Sequence, residues 1–330
     1  MKYLVGTLSR SGGQGIICCT LKSNDIQHEF TYRPAIDSTW LTKSKDGKHI
    51  FSTGTSAVSL NGFTGQITEF ALQGNSLVPG MTYSTGGDGP CHMALSSDEH
   101  FLFAANYRSG SLAVFPLAPN LSPASQIVSF CGSGPNRERQ EKSHIHQVIR
   151  IPNSNLLAVV DLGSDALYTF IVDAQSSTLY HMSQTHVFGG PRHLAFLSDD
   201  KACLVHELSN EISILERKND SFQILQTLST LPSPYAQSNL AAAIRISSDR
   251  KYIFVSNRGM GSIAVFRLQS NGLLSPEGYI PAGSYPRDFL LLSEERFLVA
   301  DQSFGLRLID QRGNQLASLI CPGAVCILPC

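Results

Sequence analysis

One pattern, repeated through six copies, constrains this chain more than any other feature. HMALSSDEHFLFAANYRSGSLAVFPL, starting at His92, is matched by HLAFLSDDKACLVHELSNEISIL from His193. AIRISSDRKYIFVSNRGMGSIAVFRL, DFLLLSEERFLVADQSFGLRLI, WLTKSKDGKHIFSTG and QVIRIPNSNLLAVVDLGSDALYTFIV keep the same order of apolar run, polar turn, apolar run, tight turn. Aligned on the turns, Trp40, His92, Gln147, His193, Ala243 and Asp288 share one position, 45 to 55 residues apart. Short apolar or alternating runs bounded by Gly, Asp, Asn and Ser read as strands and turns, and no stretch keeps a helical period for three turns. Copies of this length with several strands each are the pattern of a β-propeller.

The two ends complete the count. KYLVGT and GIICCTL near the start match the second and third strands of a copy, and PGAVCIL near the end matches a first, inner strand. Joined, they make a seventh blade and hide a sheet edge that would otherwise invite association. The expectation is an all-β, seven-bladed β-propeller with four-stranded blades, the last blade closed by N- and C-terminal strands. Residues 1–330 would form one domain without a linker.

Composition narrows the partners. Charged residues are 15% of the chain, against the usual quarter or so, and the formal net charge is −1. That leaves no basic field for nucleic acid. No apolar run reaches the ~18 residues of a membrane span, and the opening MKYLVGTLSRSGG is too short in apolar residues for a signal segment. The eight cysteines contain no CxxC pair, and several lie in apolar runs such as GIICCTL and KACLV, as small buried thiols do. Disulfide framework and structural zinc are therefore both disfavoured, and a reduced, cytoplasmic protein is expected, as a monomer or weak homodimer.

Charge is spent in one place. GSGPNRERQEKSHIHQV, residues 132–148, packs five charged side chains and two histidines between two strand patterns. In a propeller, the link from one blade's outer strand to the next blade's inner strand lies on one face, beside the central channel. The same slot elsewhere reads GGDGPCH, GGPRH, QSNLAAA and SYPRD, and the second strands end near Asn106, Asp161, Glu207 and Arg258. Several copies thus aim His, Arg and Glu at one centre, which marks a pocket. His144 and His146 flank the start of a strand beside arginine-bearing neighbours. His92 and His193 are either struts between blades or pocket walls, and Arg287 has Asp288 beside it as an ion-pair partner. Arg137, Glu138, Arg139, Glu141 and Lys142 read as a solvated loop able to serve as a lid. Asn106 and Asp161 read as turn caps. No P-loop and no GxSxG is present.

With these residues in place, the chain resembles the seven-bladed lactonase family. That family includes the bacterial propeller-type 6-phosphogluconolactonases and the fungal carboxy-cis,cis-muconate cyclases. The likeness runs through GTLSRSGGQGI, GPCHMALSSD, GSGPNRERQEKSHIHQV, GPRHLAFLSDD, HELSNEISI, QTLSTLP, AAIRISSDRKYIFVSNRG, SIAVF and PRDF, in that order. It implies an enzyme acting on a sugar lactone or related cyclic ester without a cofactor. The implied active-site groups fall on His144 or His146, Arg192, Glu207 and Arg258. His92, His193, Arg287 and Asn239 are the expected substrate-binding positions. Where relatives read AAEIRIS, or carry Asp, this chain reads AAAIRIS, so an acid expected at the pocket is Ala243.

Lactone hydrolysis needs a water made nucleophilic and a stabilised carbonyl oxygen. A neutral histidine suits the first task, nearby arginines keep it neutral, and the same guanidiniums suit an oxyanion or a phosphate. Glu207 could orient a histidine or act as the base. The best single substrate is 6-phosphogluconolactone. A muconate-type cycloisomerase, or a non-catalytic propeller that binds a sugar acid or a protein, are the alternatives, and Ala243 favours the last. A metal set is the minority reading: His144 and His146 share a side if the segment is extended, with Glu207 or His193 completing it, but clustered arginines repel a divalent cation.

Overall fold

A computed structural model describes every residue except Pro34, Asn75, Ala118, Pro119, Ala174, Gln175 and Glu294. Among the described residues, strands β1 to β28 follow one another along the chain and form seven four-stranded antiparallel sheets, with a single 3-10 turn at Ser9–Ser11. The sheets form a ring. Six of them use four consecutive strands, and the seventh runs in the order β28 (Ala324–Pro329), β1 (Lys2–Thr7), β2 (Ile16–Lys22) and β3 (Asp25–Tyr32). Leu4 pairs with Leu328 and Val5 with Ile327, so the two ends close the ring.

Each copy of the repeat is too small to bury both faces of its own sheet. The apolar residues of one blade therefore meet those of the next, and seven buried clusters occupy the seven blade-to-blade interfaces. Phe103 and Val159, for example, belong to a cluster shared by the second and third complete blades. Burying one such side chain stabilises the ring by roughly 1.5–3 kcal/mol.

In five blades the inner strand beside the channel carries the same kind of irregularity. In β8 (Pro90–Leu95), Pro90 pairs with Asn106 and His92 with Ala105, which leaves Cys91 unpaired. The same one-residue bulge leaves out His146 in β12 (Ile145–Arg150), Arg192 in β16 (Pro191–Phe196) and Arg287 in β24 (Pro286–Ser293). In β20 (Leu240–Ile246) the skipped pair is Ala242 and Ala243. A bulge re-aims the side chain it carries. Here it separates two tiers: the bulged residue, and the next one, which is the position shared by His92, Gln147, His193, Ala243 and Asp288.

Candidate active site

A cavity of about 380 Å³ opens at one mouth of the channel. Two rings of side chains line it. The first comes from the bulges: Cys91, His146 and Arg287. The second comes from the second strand of six blades, on it or just past its end: Leu8, Thr55, Tyr107, Glu207, Arg258 and Gln302. The turn that delivers Arg192 needs glycine. Gly189 and Gly190 have φ of 95° and 68°, and a Cβ on either would come within 2.5 Å of the Leu208 or Ser209 side chain.

Glu207 is the centre of the electrostatics. It is buried, and three guanidiniums saturate its carboxylate: Arg139 Nη2 donates to Oε1 at 2.6 Å, Arg192 Nε to Oε2 at 2.8 Å, and Arg258 Nη2 lies 2.7 Å from Oε2. Burial alone would raise its pKa, but Arg258, Arg192, His146 and Arg139 outweigh it and hold the carboxyl well below the usual carboxylate range. Arg192 stands behind the cavity wall, with Nη1 donating to the Ala242 carbonyl at 2.8 Å and lying 3.2 Å from His193 Nδ1. Burial and Arg258 bring Arg192 down to about 9, so it is still a cation at neutral pH.

His146 lines the cavity, and its buried Nδ1 has no partner among the described residues. Burial, then Arg192, Arg287 and Arg258, push its pKa well below 6.5, against an opposing pull from Glu207. The imidazole is neutral. Five arginines and only two carboxylates line the same space. Arg139 and Arg258 pair with Glu207, whereas Arg10, Arg108 and Arg287 have no carboxylate partner among the described residues. Arg287 Nη1 donates to Gln302 Oε1 at 3.1 Å.

Several sequence expectations need correction. His144 does not join His146 in the cavity lining, and the two form no metal set among the described residues. His144 stacks on Tyr107 at 4.5 Å, with Nδ1 2.9 Å from the Tyr107 carbonyl and Nε2 3.0 Å from Glu141. Among the described residues, no three His, Cys, Asp or Glu side chains are grouped to hold a metal ion. His92 and His193 sit one tier below the cavity and line the opposite mouth of the channel with Trp40 and Arg245. Asn239 lies outside the cavity lining, because its amide bonds Asn210 and Asn257 and ties the turn between strands. Ala243 shares the tier of His92, and its methyl packs in an apolar cluster with Phe254, Phe289 and Phe297. It does not face the cavity.

The loop at 132–143 is not a free lid. Buried Gln140 donates to Leu162 O at 2.8 Å and to Asp165 Oδ1 at 2.7 Å, which anchors the loop. This holds Arg139 in the site, the residue sequence reasoning placed in solvent. Tyr107 was missed as well. It follows Asn106 as Glu207 follows His206, so the repeat held the signal for it. Arg139 lies in an insertion that no other copy contains, so the repeat held none. Asp161 accepts from the His144, Gly163 and Ser164 amides, the bonds of a turn cap.

Fold and cavity together define a seven-bladed propeller with a charged cup at one end of its channel. The chain belongs to the seven-bladed β-propeller lactonase family, whose model matches residues 2–304. It is 31% identical to a 6-phosphogluconolactonase of Bacillus subtilis over 96% of this chain and 93% of that one. A periplasmic gluconolactonase of Pseudomonas aeruginosa superposes with a TM-score of 0.90 at 25% identity, covering 99% of this chain and 98% of that one. A protein from Lactobacillus plantarum superposes at 0.89 with 30% identity over the same shares.

Proposed function

We propose that the protein hydrolyses a sugar lactone that carries an anionic group, with 6-phosphogluconolactone as the first substrate to test. One observation carries this reading: a neutral imidazole and three arginines without carboxylate partners share one small cavity. His146 takes a proton from water as the water oxygen bonds to the lactone carbonyl carbon. The carbonyl oxygen gains the negative charge, and Arg258 stabilises it. As the intermediate collapses, the ring C–O bond breaks and the leaving oxygen takes the proton back from His146. The products are a hydroxy acid, which ionises, and an unchanged enzyme.

Arg287 and Arg10, which reach the cavity from adjacent blades and have no carboxylate partner among the described residues, suit a phosphate or carboxylate on the substrate. A phosphorylated sugar lactone carries such a group. The 6-phosphogluconolactonase relative supports it. The eight free cysteines, two of them exposed, fit a reducing compartment.

A panel of phosphorylated and neutral lactones, followed by pH-stat with and without a chelator, tests the proposal. Turnover fastest on a phosphorylated lactone and unchanged by chelation is expected. Turnover confined to dicarboxylate lactones would point to the cyclase relatives instead, and a wholly silent panel would leave a binding protein.

A further inference from the structure

Tyr107 brings an unused proton to the cavity. It lines the cup just past the end of β9 (Phe101–Asn106). Its hydroxyl oxygen accepts a bond from Arg139 Nη2 at 3.3 Å, while its own O–H finds no acceptor among the described residues. Burial raises its pKa, so the phenol keeps that proton through the neutral range. An O–H whose oxygen already accepts from a cation is polarised and becomes the stronger donor.

The ring has little freedom to turn its hydroxyl away. His144 stacks on it at 4.5 Å with 14° between the planes, and His146 meets it edge to face at 5.5 Å and 81°. The backbone is held as well. The Tyr107 amide donates to the Gly89 carbonyl at 3.0 Å, and the Tyr107 carbonyl lies 2.9 Å from His144 Nδ1. A fixed donor therefore stands beside the imidazole that handles the proton.

Blade order separates this donor from Arg258. Tyr107 follows the second strand of the blade before that of His146, and Arg258 ends the second strand of the second blade after it. In a lactone, the carbonyl oxygen and the ring oxygen extend from one carbon in different directions. With the carbonyl oxygen at Arg258 and the carbon beside His146, the ring oxygen turns towards Tyr107. Building on the lactonase reading, we propose that the Tyr107 hydroxyl donates a hydrogen bond to the ring oxygen of the lactone as that oxygen leaves. The electron pair of the breaking C–O bond moves onto the ring oxygen, and His146 returns the proton that becomes its new O–H. The Tyr107 O–H stays intact. An aliphatic alkoxide is a poor leaving group, so a donor whose bond strengthens as charge builds there speeds collapse of the intermediate.

Tyr107→Phe, made in the full chain, keeps the ring and its packing and removes only the hydroxyl. Initial rates on the best aliphatic lactone should show kcat lowered by about 10–100-fold, with KM moved less than about threefold and the thermal midpoint kept. The heavy-oxygen isotope effect at the ring oxygen should grow, because C–O cleavage becomes the slow step. On an aryl lactone with the same anionic group, whose phenoxide leaves without help, the loss should stay below about threefold. An unchanged kcat or an unchanged isotope effect on the aliphatic lactone overturns the proposal. Equal losses on the two lactones also overturn it and assign the hydroxyl to the carbonyl oxygen, and a raised KM with kcat intact makes Tyr107 a binding group only. A wild-type protein silent on every lactone would instead sink the lactonase reading, and the role of Tyr107 with it.

Discussion

The cup and the channel beneath it are built from adjacent residues of the same strands, yet they carry opposite chemistry. Cys91, His146, Arg192 and Arg287 are the bulged residues, and three of them face the cup. His92, Gln147, His193 and Asp288 follow directly, and they are used for joining. Gln147 bridges to Leu194 through both its amide atoms, at 3.3 and 2.6 Å. Asp288 accepts from Arg245 and from the Ile327 amide, linking three blades. His92 lies on Trp40 with ring centroids 4.0 Å apart. In the cup, by contrast, three guanidiniums lack a carboxylate partner among the described residues. A one-residue bulge therefore decides whether a side chain serves the ring or the ligand.

That contrast can be broken by substitution. The largest effect belongs to His146→Gln, which should cut kcat/KM by ~10²–10⁴ while thermal stability is kept, measured by initial rates on the best lactone. A loss below tenfold would remove His146 as the base. Next is Arg287→Gln, expected to raise KM ~10–100-fold for an anionic lactone, the worth of a charge-assisted bond, and to leave a neutral lactone unchanged. Equal losses on both would show that Arg287 holds the fold rather than an anion.

A third test turns to the lower tier. Burial lowers the pKa of His92 to about 3, and His146, His193 and His206 are also lowered. A histidine kept neutral in the folded state binds its proton more readily when unfolded. Its stabilisation is complete above an unfolded pKa near ~6.5 and is lost as pH falls below it. Denaturant midpoints should therefore drop from pH 6.5 to 5. His193→Gln should flatten that drop by about 2 kcal/mol of the loss, with kcat/KM changed only a little. The smallest effect is expected at His144, which stacks outside the cavity. His144→Gln should alter kcat/KM by less than about threefold and cost about 1 kcal/mol of stability by denaturation.

The fold was legible because its signal is a period, and a period survives any local error. Blade count, terminal closure and the placement of Glu207 and Arg258 all follow from aligning turns. The tiers were not legible in the same way. Alternation along a strand gives the face of each residue only while register holds, and nothing in GPCHM or GPRHL announces a skipped residue. The alignment therefore favoured His92, His193 and Ala243, one residue past the cup in each case. HxH misled for the same reason, since two residues two apart share a face only without a bulge. Arg139 could not be read from the repeat because its loop belongs to one blade alone.

The pairing of β28 with β1 also orders events in time. Residues 2–32 are made ahead of the other blades and already contain three of the four strands of their sheet, but the innermost strand, from Ala324, is made after all six of them. Until then the edge of β1 is open, and its neighbours on both sides lack a complete surface to pack against. The interior blades can assemble through local hairpins, whereas this closure joins the most distant segments of the chain and carries the highest entropic cost of any strand pairing. The ring is thus finished by its final six-residue strand. A chain stopped at Pro322 would hold all of the cup's catalytic candidates and lack the strand that locks them in a circle.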